Sequence, residues 1–157
     1  MKIDFPKLAA AILVSLSAGA IGSVFTFSAI SSWYSFLSKP SFAPPNWVFG
    51  PVWTALYVLM GIAAYLVWVK GWEKKEVQVA LKVFMVQLGL NALWSILFFG
   101  TQNLGAAFFE LIALWIAIAW TIKKFYAISK NAAYLLVPYI LWVSFAGALN
   151  YFIWILN

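Results

Sequence analysis

Five stretches of this chain, near residues 8–30, 48–69, 79–99, 104–122 and 132–156, are each apolar for long enough to cross about 30 Å of hydrocarbon. That pattern leaves few folds open. Inside lipid every backbone N–H and C=O must be bonded within its own segment, so each stretch reads as a helix. Turn-forming or polar residues separate them: Ser38-Lys39-Pro40 and Ala43-Pro44-Pro45-Asn46, then Gly71 to Glu76, Thr101-Gln102-Asn103 and Ser129-Lys130-Asn131. The expected fold class is an all-α membrane protein. It is a bundle of five transmembrane helices in one domain over 1–157, with a structured loop between helices 1 and 2. Composition agrees, because 66% of the residues are hydrophobic and 9% charged, too few charges to cover a soluble surface.

The residues that are missing narrow the chemistry. There is no Cys and no His, which removes disulfides, thiolate nucleophiles, Ser-His and Cys-His pairs and the commonest metal ligand. The acids are Asp4, Glu73, Glu76 and Glu110, too dispersed for a paired-carboxylate site or a metal cage. No catalytic residue and no required cofactor is assigned. The net charge of +6 does not mark a nucleic-acid binder, since the lysines are scattered at loops and Arg is absent. It is a topology signal. Lys2, Lys7, Lys70, Lys74, Lys75, Lys82, Lys123, Lys124 and Lys130 fall on the amino-terminal side and only Lys39 on the other. The positive-inside rule then places the amino terminus in the cytoplasm of a multi-pass protein of the cell membrane. Lys2, Lys7 and Ala18-Gly19-Ala20 resemble a signal peptide, but the apolar run continues to Ile30 and reads as a retained span.

Polar residues within a span are costly, so their depth is informative. Trp53 and Tyr57 lie one turn apart near the outer end of helix 2, and Asn91, Trp94 and Ser95 lie in the outer half of helix 3. Trp142, Ala146 and Asn150 recur every fourth residue on helix 5 and share one face. These features meet in one half of the membrane, a place suited to a flat, largely apolar ligand, with Asn91 or Asn150 orienting a polar edge. Asn91 bonding a neighbouring helix is the competing reading. Trp68, Trp72, Tyr126 and Trp154 instead fit the aromatic belt at the interfaces. Glu110, the one acid within a span, reads as a helix–helix hydrogen bond ahead of ligand contact or proton handling. Prolines 40, 44, 45 and 51 stiffen the segment from 31 to 51. The 31–47 loop then reads as a preformed lid carrying Trp33, Tyr34, Phe36, Phe42 and Trp47. Small residues form two stripes, Ala11, Ser15, Gly19 and Ser23 on helix 1 and Ala113, Ala117 and Thr121 on helix 4. The expectation is that helix 1 faces a partner chain in a homodimer.

The loop also carries a resemblance. Trp33-Tyr34, Leu37, Lys39-Pro40, Phe42, Pro44-Pro45, Trp47, Phe49, Pro51-Val52-Trp53-Thr54 and Leu56-Tyr57 resemble the TspO/translocator protein family, the tryptophan-rich sensory proteins or peripheral benzodiazepine receptors. Gln87-Leu88, Leu90-Asn91, Trp94-Ser95 and Phe98-Phe99 match on helix 3. Pro138-Tyr139, Trp142, Phe145-Ala146 and Leu149-Asn150-Tyr151 match on helix 5. The resemblance implies a membrane receptor or sensor, often dimeric, that binds tetrapyrroles such as protoporphyrin IX and other flat apolar molecules beneath the first loop. Isoquinoline carboxamide and benzodiazepine drugs are among the ligands it implies. It carries the ligand contacts to Trp33, Tyr34, Trp53, Tyr57, Asn91, Trp94, Trp142, Ala146, Leu149 and Asn150. A transporter of porphyrin or lipid-like ligands and an enzyme promoting light-dependent porphyrin breakdown are the alternatives. The family's cholesterol-associated pattern is incomplete here, because no basic residue follows Tyr151.

The lysine distribution yields a direct test of topology. A lone cysteine in Ser41→Cys is expected to react with an impermeant thiol reagent in whole cells, and one in Lys74→Cys to be protected. The opposite labelling would invert the assignment.

Overall fold

The structure, a computed structural model, describes residues 3–157; Lys2, counted above with the amino-side lysines, lies outside the described residues. The spans are α1 (Phe5–Ser31), α3 (Phe49–Trp68), α4 (Lys75–Ser95), α5 (Leu104–Ile128) and the pair α6 (Lys130–Leu135) and α7 (Val137–Leu156). A short α2 (Trp33–Phe36) follows α1, a 3₁₀ turn (Asn46–Val48) precedes α3, and a π-helical turn (Ile96–Gly100) extends α4. All five spans are long and apolar enough to cross a membrane. Several helices run past the apolar stretches into lysine-bearing turns, because apolarity marks the hydrocarbon and not the helix end.

Local chemistry sets the helix ends. The Asp4 carboxylate accepts from the Lys7 backbone N–H at 3.2 Å, Pro6 sits in the first turn, and Asn103 accepts from the Ala106 N–H at 2.9 Å. The fifth span, expected as one uninterrupted helix, breaks at Leu136. Pro138 in the first turn of α7 has no N–H to continue the ladder from α6.

Around the bundle the order is α1, α3, α6–α7, α5, α4 and back to α1. α3 packs against α6 at the lysine-bearing end and draws away from α7 toward the other. The bundle is therefore tight at one end and widened at the other. Below the widening, α1 and α3 approach closely. A methyl group at Gly61 would come within 2.5 Å of the Ile12 Cα and 2.9 Å of its backbone N. Asp4 N donates to Tyr65 Oη at 3.0 Å, which pins the start of α1 to the end of α3.

The small-residue stripe of α1 thus packs inside the bundle, contrary to the expectation that it faces a partner chain. Ala11 and Ser15 are buried and Gly19 lies against the Tyr57 ring, while Ser23 is exposed. The cause is helical drift. A four-residue repeat rotates about 40° per step at 3.6 residues per turn, so the contact face follows Ala11, Ser15, Ala18 and Gly22 instead. Ala117 and Thr121 on α5 are also buried. A homodimer would have to use other surfaces. Glu110 departs from expectation too: both carboxyl oxygens are buried, and neither has a hydrogen-bond partner among the described residues.

The α1–α3 contact can be tested with two glycines. Gly61→Ala is expected to destabilise the detergent-solubilised protein by roughly 1–3 kcal/mol, the usual cost of overpacking against backbone. Gly89, where an added Cβ meets nothing within 4 Å, is the control. Gly89→Ala should be neutral or stabilising by up to about 1 kcal/mol from helix propensity. Thermal unfolding followed by tryptophan fluorescence compares the two.

Candidate functional site

The widened end holds a cavity of about 500 Å³, within the roughly 300–1,000 Å³ of small-molecule sites. Its walls come from α1, α3, α4 with its π turn, and α7, and Tyr34 of α2 reaches into it. Of the ten residues put forward from sequence, nine line it: Tyr34, Trp53, Tyr57, Asn91, Trp94, Trp142, Ala146, Leu149 and Asn150. Trp33 does not. It packs edge-on against Phe98 at 5.7 Å, behind the lining. Glu110 does not line the cavity either, and no Lys, Asp or Glu does among the described residues.

The aromatic lining falls into two groups of touching rings, one around Trp53 and Tyr57 and one running from Trp94 through Phe98, Tyr34 and Phe49 to Trp142. Trp53 stacks on Tyr57 at 5.7 Å and meets Tyr139 edge-on at 6.3 Å. Phe49 meets Trp142 at 6.2 Å, which carries the wall across the gap between α3 and α7. Phe98 and Phe99, adjacent in sequence, both face the cavity and both contact Tyr34, at 6.1 and 5.9 Å. On a regular helix neighbouring side chains diverge by about 100°. The wider π turn at Ile96–Gly100, closed by Thr101 N–H to Ile96 O at 2.8 Å, holds these neighbours at one cavity. Reading the sequence did not foresee that turn, and Phe49, Phe98 and Phe99 were not proposed as lining residues. Gly19 was taken as a packing residue and Gly22 was not singled out, yet both line the cavity, with their missing side chains making room for Tyr57 and Ser95.

Polar groups at the cavity floor form one chain. Tyr57 Oη donates to Asn91 Oδ1. Asn91 Nδ2 donates to Tyr139 Oη at 2.9 Å, and Tyr139 Oη to Gln87 Oε1 at 2.8 Å. Higher up, Trp94 Nε1 donates to Asn150 Oδ1 at 3.1 Å, and Asn150 Nδ2 to the Leu104 carbonyl at 2.9 Å. Both amides are thus helix linkers as well as cavity residues, and the oxygen and nitrogen of each are in use. The free polarity lies elsewhere. Tyr34 Oη and Trp142 Nε1 are buried with no hydrogen-bond partner among the described residues. Burial pushes the Tyr34 phenol up to about 12, so it keeps its proton near neutral pH. An unmet buried donor costs on the order of 1–3 kcal/mol, so a small turn of either ring that brought its donor to an acceptor would recover part of that.

The loop over the cavity is fastened down. The Asn157 side chain bonds the Ser38 backbone twice, accepting from its N–H at 3.0 Å and donating to its carbonyl at 2.9 Å. Lys39 places its ammonium 4.6 Å from the Tyr34 ring centre and 3.1 Å from the Leu37 carbonyl. Phe42 packs edge-on against Phe145 and Phe152 at 6.1 and 5.5 Å. Tyr34 is the part of the lid that enters the bundle, being 2% exposed, whereas Phe36 and Trp47 are 87% and 74% exposed.

Comparison with known proteins agrees with this architecture. The family model for the TspO/MBR family matches residues 10–155. The tryptophan-rich protein TspO of Archaeoglobus fulgidus is 50% identical over 152 residues, covering 96% of this chain and 97% of its own. The protein of the same name in Chlorobaculum tepidum is 47% identical over 150 residues, covering 96% and 95%. The Homo sapiens translocator protein is 43% identical over 136 residues, covering 85% and 80%. With five membrane-spanning helices and a match along nearly its whole length, this multi-pass integral membrane protein belongs to the TspO/MBR family.

Proposed function

We propose that the protein is a membrane receptor or sensor that binds tetrapyrroles such as protoporphyrin IX, or flat apolar molecules of similar shape, in the cavity beneath its first loop. The observation that carries this reading is the lining itself. Rings from α2, α3, α4 and α7 converge on one space with no charged side chain among the described lining residues. Such walls favour a planar π-system, which stacks on or meets ring edges from several sides. A ligand whose rim carries a carbonyl or carboxylate acceptor would engage the unpartnered donors of Tyr34 and Trp142 only if those rings shift to present them, since both atoms are buried. Two relatives carry the names translocator protein and tryptophan-rich sensory protein, which fit a receptor or sensor. The amino terminus is assigned to the cytoplasm on the lysine distribution, with the cavity in the outer half of the cell membrane.

Alanine variants test the assignment. Each aromatic contact is worth on the order of 0.5–1.5 kcal/mol beyond buried area, so Trp142→Ala and Trp53→Ala should each weaken protoporphyrin IX binding about fivefold. Trp120, which is exposed on α5 and away from the cavity, supplies the control, and Trp120→Ala should bind as the parent does. Affinity is read from porphyrin emission, because removing a tryptophan alters protein fluorescence. Unchanged affinity in both cavity variants would contradict the proposed site.

A further inference from the structure

We infer that the cavity takes up its ligand sideways from the lipid, through a window between the outer halves of α1 and α3, and not from water through the loop. This inference rests on the binding reading above and adds the route. It starts from which lining residues are exposed. Leu149, Asn150, Asn91 and Tyr34 are buried, and the remaining lining of α2, α4 and α7 is buried or half-buried. Every exposed lining residue lies on two segments. On α1 these are Ala20, Ser23 and Phe27. At the start of the second span they are Asn46, Trp47, Gly50 and Thr54. The cavity is therefore closed on three sides and reaches the surface on the fourth.

The window follows from the helix packing. α1 and α3 meet through Ile12 and Gly61 near the inner end and through Gly19 and Tyr57 at mid-depth. Above that level α1 turns its contact face to α4, where Gly22 meets Ser95 and Gly100 meets Phe25. The two helices thus separate as a wedge. From Asn46 to Thr54 the open edge spans about 12 Å at 1.5 Å per residue, deep enough to reach past the headgroups into hydrocarbon.

The rim has the chemistry of a passage for apolar molecules. No charged residue lies on it among the described residues. The Ser23 hydroxyl is spent on the Ala20 carbonyl at 2.7 Å and the Thr54 hydroxyl on the Gly50 carbonyl at 2.9 Å, so neither presents an unmet polar group to lipid. Phe27 and Trp47 flank the gap and are 84% and 74% exposed, unanchored compared with the buried Tyr34. The loop route is the more obstructed one. It would require undoing the Asn157–Ser38 pair, the seat of Lys39 on Tyr34 and the packing of Phe42 on α7 together.

Two variants in lipid nanodiscs, with protoporphyrin IX as the probe, separate the routes. The chain has no cysteine, so a Ser38→Cys, Asn157→Cys pair would make a single disulfide and lock the loop to α7. The locked protein should take up porphyrin at the parental rate. Gly50→Phe puts a ring into the window from a position where an added Cβ meets nothing within 4 Å. It should slow association and release together, each by about tenfold, as expected when access is obstructed more than the bound state is altered. Association that fails in the locked protein and returns on reduction would overturn the inference. So would a Gly50→Phe variant with parental rates, a result that does not depend on the disulfide forming. Parent protein that binds no porphyrin at equilibrium would refute the binding reading itself, and the route with it.

Discussion

Lipid gives apolar helices no reason to prefer each other over acyl chains, so a membrane bundle is held by close approach and by polar groups that must find partners. In this protein the approach of α1 to α3 over Gly61 fixes the rest. It brings the backbone of Ile12 into contact with α3 and leaves Gly19 under the Tyr57 ring. The lysine-bearing end is tight as a result. At the opposite end α1 leans onto α4 and α3 draws away from α7, and the space this opens is filled from the sides by aromatic rings. The cavity is a consequence of where the small residues lie.

The polar chain of Tyr57, Asn91, Tyr139 and Gln87 closes the floor of that space and joins α3, α4 and α7 across the bundle. Each such bond in a membrane contributes on average about 0.6 kcal/mol, so the chain's main effect is positional. It fixes the rotamers of two rings next to the site and leaves the floor without a free amide. The rings that carry the remaining donors, Tyr34 and Trp142, each pack against Phe49. On the proposed reading, recognition in this cavity would rest mostly on ring faces.

Much of this was legible in the sequence, because depth in a membrane helix can be counted. Counted by rise per residue, Trp53, Tyr57, Asn91, Trp94 and Asn150 fall in one half of the membrane and Trp142 at mid-depth, and all of them line the cavity. What could not be read was orientation around each helix axis and the partners met there. The α1 stripe drifts out of its contact face by Ser23, the π turn brings Phe98 and Phe99 to one cavity, and Pro138 divides the last span. Trp33 shares the loop motif with Tyr34, yet only Tyr34 enters the cavity, since neighbours on a helical turn point apart. Glu110 was given a hydrogen bond on general cost grounds, but both of its buried carboxyl oxygens lack a partner among the described residues.

The central claim is that flat apolar molecules occupy the cavity between α1, α3, α4 and α7. Photo-crosslinking tests it most directly, using a planar aromatic probe with a small diazirine in lipid nanodiscs and mapping adducts by mass spectrometry. The account predicts adducts on cavity residues such as Trp53, Trp94 and Trp142, all lost when excess protoporphyrin IX is added. Adducts confined to the outward rings of α5, Phe109, Trp115 and Trp120, or labelling that excess porphyrin does not reduce, would contradict it.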